Sequence, residues 1–170
     1  MTMESILKLR APEPSDVDML YRLEGMPEVK SVSWGEAPVS RQMLWEYVQA
    51  YSADAYRDRQ LRLIAELNGE AVGTVEISDF DPSNRRAMAG IAIEERWRRQ
   101  GIGAKALEAL VEYCREALGL HQLAAIVPKS NEASLALFKR AGFSATGCLR
   151  SWRRRGSEYE DAIVLQLIIG

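Results

Sequence analysis

Ala87-Met88-Ala89-Gly90-Ile91-Ala92-Ile93, followed after a short link by Arg98-Arg99-Gln100-Gly101-Ile102-Gly103-Ala104, is the stretch that decides the fold. The first run is short, apolar and without a helical period, so it reads as a strand. Behind the second run, Ile102, Ala106, Leu110, Cys114 and Ala117 recur at helical spacing, with Leu107, Val111 and Leu118 widening the stripe. That pattern predicts a helix over 102–118. Between strand and helix, two glycines and two arginines let backbone N–H groups close on an anion. Unpaired amides and aligned peptide dipoles at a helix start both favour negative charge. The loop therefore reads as a phosphate cradle. It lacks the Lys-Ser/Thr ending of a P-loop, and no acidic ribose reader follows on the dinucleotide pattern.

Working outward, Ile6 to Arg10 predicts a first strand, stopped by Pro12 and Pro14, and Ser15 or Asp16 caps a helix to about Gly25. A second helix over about 40–55 carries Leu44, Trp45, Tyr47, Val48 and Tyr51, and residues 26–39 read as a Gly- and Pro-punctuated connection holding Trp34. Leu61 to Leu67 and Ala71 to Ser78 flank Asn68-Gly69, a tight hairpin turn. Asp81-Pro82-Ser83-Asn84 turns into strand 86–93. After the long helix and Gly119 as its C-cap come a strand over 123–127, a helix over 132–141, and closing strands over 145–152 and 161–169. The order is β-α-α-β-β-β-α-β-α-β-β. This predicts an α/β fold: one domain over 1–170 with a mixed sheet of about seven strands, antiparallel first and with a βαβ crossover in its second half.

A chain of 170 residues, 47% apolar, supports one domain with a sizeable core, and a net charge of −2 gives no global argument for a nucleic-acid or membrane partner. Residues 1–60 lean acidic and 101–170 lean basic, an arrangement suited to a cationic acceptor on the first half and a phosphate-bearing ligand on the second. Cys114 and Cys148 form no CxxC pair and read as reduced structural thiols in apolar settings, which suits a cytoplasmic enzyme. There is no signal-peptide pattern and no apolar run of membrane-spanning length. His121 is the only histidine, which excludes a multi-His metal site.

Arg98-x-x-Gly101-x-Gly103 resembles the Gln/Arg-x-x-Gly-x-Gly/Ala signature of the GNAT N-acetyltransferases. Asn131-Glu132-Ala133-Ser134 through Phe138-Lys139-Arg140-Ala141-Gly142-Phe143 is similar to a second family segment. Leu7 to Asp16 and Gly156 to Asp161 resemble the branch holding spermidine and ribosomal-protein N-acetyltransferases, so the likeness covers almost the whole chain. The resemblance implies a splayed central sheet and acetyl-CoA as co-substrate, without a metal. It implies that backbone groups of Ile91 and Ile93 bind the pantetheine like an added strand and that amides of Arg98, Arg99, Gln100, Gly101, Ile102, Gly103 and Ala104 hold the pyrophosphate. Asn131 would contact the pantetheine, and Lys139 or Arg140 the adenosine phosphate. Plainer readings stand beside these: a structural turn at Gly101 and Gly103, a helix cap at Asn131, solvated charges at Arg98 and Arg99. Homodimers are common in the resembling family.

Acetyl transfer to an amine needs a neutral nitrogen, a donor for the developing oxyanion and a proton for the leaving thiolate. Two departures matter. Many family members carry Glu on the strand before the phosphate loop and Tyr in the later helix; this chain has Met88 and Phe138, and neither can move a proton. Phe138 then reads as core. Glu76 is the candidate base or cation anchor, since strand alternation sets it opposite Val75 and Ile77, on one face with Val72 and Thr74; a solvent-facing strand Glu is the open alternative. Asp79 and Asp81 are weaker candidates for the same role, beside a plainer reading as loop or turn residues. Ser134 and Tyr159 are the candidate acids, beside plain readings as a first-turn residue and a packed strand residue. Arg150, Arg153, Arg154 and Arg155 read as a solvated hairpin, or as a contact for RNA or an acidic substrate. Trp34, Trp45 and Tyr51 line an acceptor pocket or pack in the core. The expected reaction is acetyl transfer to a primary amine, a polyamine-like small molecule or a protein N-terminus; the competing class is a non-catalytic acyl-CoA sensor.

Overall fold

The computed structural model describes residues 6–30 and 37–170. Seven strands, β1 (Leu7–Arg10), β2 (Leu61–Leu67), β3 (Glu70–Asp81), β4 (Arg86–Ile93), β5 (Gln122–Pro128), β6 (Ser144–Arg155) and β7 (Glu158–Ile168), form one sheet in the order β1-β2-β3-β4-β5-β7-β6. All neighbours are antiparallel except β4 and β5. The predicted mixed α/β sheet and its βαβ crossover are both present.

One face of the sheet buries Leu61, Leu63, Val75, Ile77 and Ala87 against α5 (Ile102–Glu116), whose stripe of Ile102, Ala106, Leu107, Leu110 and Cys114 is the one read from the sequence. Gly119 adopts φ 59° after this helix and lets Leu120 N–H reach back to the Cys114 carbonyl at 2.9 Å. The other face is covered by α1 (Val17–Glu24) and α3 (Arg41–Ala50), which pack Met19, Leu20, Leu23, Leu44 and Val48 over Ile64. Ser40 Oγ caps α3 by accepting from Met43 N–H at 3.1 Å. Asp16 behaves differently from the predicted cap. Its carboxylate turns back to accept both Arg10 Nη atoms at 2.8 Å and Glu13 N–H at 2.7 Å, pinning α1 to the first strand.

Other boundaries moved for local reasons. The predicted helix over 40–55 ends at Ala50, and Asp54 caps a separate turn, α4 (Ala55–Asp58), by accepting from Arg57 N–H. Within 26–39 a short helix, α2 (Pro27–Lys30), forms; Trp34 lies outside the described residues. A bulge at Ala65/Glu66 breaks the alternation of β3, so Val72 joins the core on the α5 side rather than sharing Glu76's face. Cys114 is buried as expected, but Cys148 is exposed, because β6 is the sheet's open edge and almost all of it faces solvent.

Gly73 faces Ile93 across the β3–β4 pair, and a Cβ there would meet the Ala92 carbonyl oxygen at 2.2 Å. Gly73→Ala is expected to cost about 1–3 kcal/mol, read as a fall in the denaturant midpoint. Burial pushes the Cys114 thiol up to about 12. A thiol reagent at pH 8 should therefore titrate Cys148 alone in the native protein, and both cysteines in denaturant.

Candidate active site

The site begins where the parallel ladder stops. β4 and β5 share register only at Arg86↔Gln122, Ala87↔Leu123 and Met88↔Ala124; beyond Met88 the strands part. On its other side β4 stays paired to β3 through Ile93↔Gly73. Glu94 N–H donates to the Val72 carbonyl at 2.9 Å, so the N–H and C=O groups of even-numbered β4 residues point toward β3. Those of Ile91 and Ile93 then point into the gap. Met88, at its apex, presents a thioether, which cannot carry a proton. Phe138 is 2% exposed and packs edge-to-face on Phe143 at 5.0 Å, which makes it core.

The phosphate loop leads from β4 to α5. A 3-10 turn over Glu95–Trp97 precedes Arg98, whose backbone is extended; Arg99 at φ 60° and Gly101 at φ 75° then turn the chain into the helix. Gly101 is the N-cap and offers no side-chain acceptor, so the first amides of α5, from Ile102, Gly103 and Ala104, have no side-chain cap. Ile102 contributes only its backbone here, since its side chain is core. Gly103 is needed for closeness: a Cβ would meet Leu137 at 3.3 Å and Ile93 at 3.7 Å. Arg98 Nε donates to the Ile93 carbonyl at 3.1 Å and Gln100 Nε2 to the Arg96 carbonyl at 3.1 Å, so both side chains brace the loop. Arg99 is exposed beside it.

On the far side of the gap, α6 (Glu132–Arg140) starts just after β5 ends. Asn131 caps it, its Oδ1 accepting from Ser134 N–H at 3.1 Å. The cap uses the amide oxygen and leaves the NH2 group for other contacts. Ser134 sits in the first turn, half-buried, and Lys139 and Arg140 are exposed in the last. An extended amide-bearing chain that ends in phosphates fits this arrangement: gap-facing strand groups on one side, of which the Ile93 carbonyl is already held by Arg98, and uncapped amides at the mouth.

The α1/α3 face supplies the other half. Glu76 stands across from Gly90 in the β3–β4 register. A Cβ on Gly90 would meet Glu76 Cγ and Oε1 at 3.0 Å, so the missing side chain lets the carboxylate lie across β4 toward the gap. Glu76 also borders an open cavity of about 420 Å3 between α3, α4 and the sheet, lined by Tyr47, Tyr51, Asp58, Arg62 and Ser78 among others. Burial pushes the Tyr47 phenol above its ordinary value and Tyr51 up to about 12; the Tyr51 hydroxyl donates to the Arg62 carbonyl at 2.5 Å.

The remaining sequence candidates separate. Trp45 is exposed and does not line this cavity, a correction that follows from its place on the outer side of α3. Tyr159 is 62% exposed opposite Arg154 on the β6–β7 hairpin and is a surface residue rather than a packed one. Asp79 marks a bulge at φ 47°, and Asp81 accepts from both Asn84 N–H groups, which hold its carboxyl below the usual range. Among the described residues no cluster of His, Cys, Asp and Glu is placed to hold a metal, and no helix is long and apolar enough to cross a membrane. Sequence reasoning gave no role to Gly90, Arg62 or Tyr47. The signal for Gly90 was available, since a glycine inside a strand marks a close approach.

A family profile described as "Acetyltransferase (GNAT) domain" matches residues 7–144. Spermidine N(1)-acetyltransferase of Escherichia coli (strain K12) is 27% identical over 157 residues, spanning 92% of this chain and 83% of that protein. Among solved structures, spermidine N-acetyltransferase from Vibrio cholerae, in complex with CoA and spermine, matches with a TM-score of 0.82 at 22% identity, over 96% of this chain and 95% of its own. The ribosomal alpha-N-protein acetyltransferase RimL, in complex with coenzyme A, matches with a TM-score of 0.83 at 24% identity, over 99% and 97%. The family match, over a sheet split at its one parallel pair among the described residues, makes the protein an acyltransferase. The chain belongs to the GNAT acetyltransferases and is an N-acetyltransferase that uses acetyl-CoA as co-substrate.

Gly90→Ala should push the Glu76 carboxylate off β4. If that carboxylate serves the acceptor, where misplacement by about 1 Å can cost about 100-fold, kcat/KM for the amine should fall at least tenfold (about 1.4 kcal/mol), with the KM for acetyl-CoA unchanged; an unaltered kcat/KM would separate the carboxylate from the reaction.

Proposed function

We propose that this acetyltransferase acts on a small, cationic primary amine of the polyamine type, and that Glu76 receives the ammonium. The carrying observation is the placement of Glu76: a carboxylate laid over Gly90, between the cavity under α3 and the gap beside β4. Asp54, Asp58 and Glu76 line that cavity against a single lining cation, Arg62. Such a wall favours a positively charged acceptor, and the relatives include spermidine acetyltransferases.

An alkyl ammonium has a pKa near ~10, so only a small fraction is nucleophilic at neutral pH. Glu76, directly or through water, attracts the cation and takes its proton. The amine nitrogen then attacks the acyl carbon, and the negative charge that grows on the acyl oxygen is met by a gap-facing N–H of Ile91 or Ile93. The thiolate leaves near the first turn of α6, where Ser134 carries a hydroxyl that can supply a proton; Met88 and Phe138 offer none. Amides of Arg98 to Ala104 hold the phosphates, and Asn131 contributes its NH2 group to the same ligand. Tyr159 has no part in this reading. Two cysteines without a disulfide suit a cytoplasmic enzyme.

A protein N-terminus is the second reading, carried by Ser134. Its first-turn place in α6 matches a position where the resembling ribosomal-protein acetyltransferases also have Ser.

Thiol release from acetyl-CoA, measured against polyamines, aminoglycosides, amino acids and N-terminal peptides, tests both. Turnover is expected with polyamines, and Glu76→Gln should lower kcat/KM for them about 100-fold or more. Turnover confined to peptides would select the second reading. Full activity in Glu76→Gln would remove the carboxylate from the mechanism.

A further inference from the structure

Glu76 has a cationic neighbour that belongs to the protein itself. Arg62 stands directly across the β2–β3 pair from it and is 8% exposed. Arg62 Nη2 donates to Glu24 Oε1 at 2.8 Å, while its Nε lies 3.9 Å from Glu76 Oε2. Arg62 Nε and Glu24 Oε2 are both buried without a hydrogen-bond partner. Burial works against the Arg62 charge, but Glu24 and Glu76 outweigh it and hold the guanidinium above its ordinary value.

This geometry treats the two carboxylates unequally. The Glu24 side chain is 1% exposed and hydrogen-bonded to Arg62, so no ligand reaches it. The Glu76 side chain is 35% exposed and sits beyond hydrogen-bond distance of the same guanidinium. A separation of 3.9 Å is still close enough for strong attraction away from bulk water. Glu76 is thus drawn toward Arg62 without being captured, and its lone pairs stay available. Two carboxylates against one guanidinium leave one uncompensated negative charge, and the accessible place for it is Glu76.

We propose that Arg62 is a positioning residue. Anchored by Glu24, it aims the Glu76 carboxylate across Gly90 and sets how firmly that carboxylate grips the acceptor's ammonium. The proposal rests on the reading of Glu76 given above. A different role, direct binding of a carboxylate on an amino-acid acceptor, is opposed by the burial of Arg62 and by its commitment to Glu24.

The test is a double-mutant cycle with steady-state kinetics on a polyamine and on an amino acid. Removing Arg62 alone strands the buried Glu24 charge, so the working variant is the pair Glu24→Gln with Arg62→Gln, combined or not with Glu76→Gln. Arg62→Lys serves if that pair does not fold. In the wild-type background the pair is expected to raise the amine KM about tenfold, with the acetyl-CoA KM unchanged; in the Glu76→Gln background the same change should act by under about twofold. Arg62→Lys, which keeps the charge and loses the planar fork, should fall between and show the same dependence on Glu76. Equal factors in both backgrounds would overturn the proposal and leave Arg62 a structural residue. A KM rise confined to acceptors that bear a carboxylate would overturn it in favour of direct binding. An unchanged amine KM in Glu76→Gln alone would instead overturn the underlying reading of Glu76, and the proposal with it.

Discussion

Backbone N–H and C=O groups cannot be left unpaired inside a protein without cost, and the parting of β4 from β5 after Met88 and Ala124 creates a row of such groups by design of the sheet. Everything else at the site answers to that opening. β3 stays paired to β4 on the other side as far as Ile93, so the opening lies on one edge of β4 only. The crossover through α5 has to leave from the free end of β4, which brings the helix's own unpaired amides to the same place. Arg98 reaches back and satisfies the Ile93 carbonyl, tying loop to strand. A ligand with amides along its length and phosphates at its end completes the hydrogen bonding that the sheet leaves unfinished.

The two faces of the sheet differ in what they carry. The α5 face is a packed apolar core that supplies rigidity, whereas the α1/α3 face carries the charges: Arg62, Glu66 and Glu76, with Glu24 projecting from α1. Glycines do the joining. Gly73 lets β4 lie close to β3, Gly90 gives the Glu76 carboxylate room, and Gly103 brings α5 against Leu137 and Ile93. Each is placed where a methyl group would hold the two halves of the site apart.

Much of this was legible in the sequence where local rules decide the outcome. The loop's glycines, the stripe of α5, the Asn68-Gly69 turn and the Asn131 cap are set by residues close together in the chain. What escaped depends on residues far apart. Val72 changed face because β3 carries one extra residue opposite the Ala65–Glu66 step of β2, and which β3 residue is skipped depends on pairing with a distant strand. Cys148 turned out exposed because sheet order made β6 an edge. Arg62 is an unremarkable strand charge until the fold brings Glu24 and Glu76 to either side of it. Tyr47 is one of several large side chains on its helix, and only the fold shows that it lines the cavity where Trp45 does not. Met88 and Phe138 were legible as losses, and the structure gives those losses positions: one at the apex of the gap, the other inside the core.

The edge position of β6 has a consequence for the protein's behaviour in a crowded solution. A twelve-residue strand with one unpaired side is a template on which another chain can add. This one is made hard to extend. Register shifts between Ala145 and Gly147 and between Leu149 and Arg153 break its run of evenly spaced donors and acceptors, Ser151 turns at φ 50°, and four arginines load its far half with like charge. An incoming strand would have to match two kinks while bringing its own backbone toward that positive row. The arginine run that reads, in sequence, as a contact for a partner also makes this open edge a poor template for a further strand.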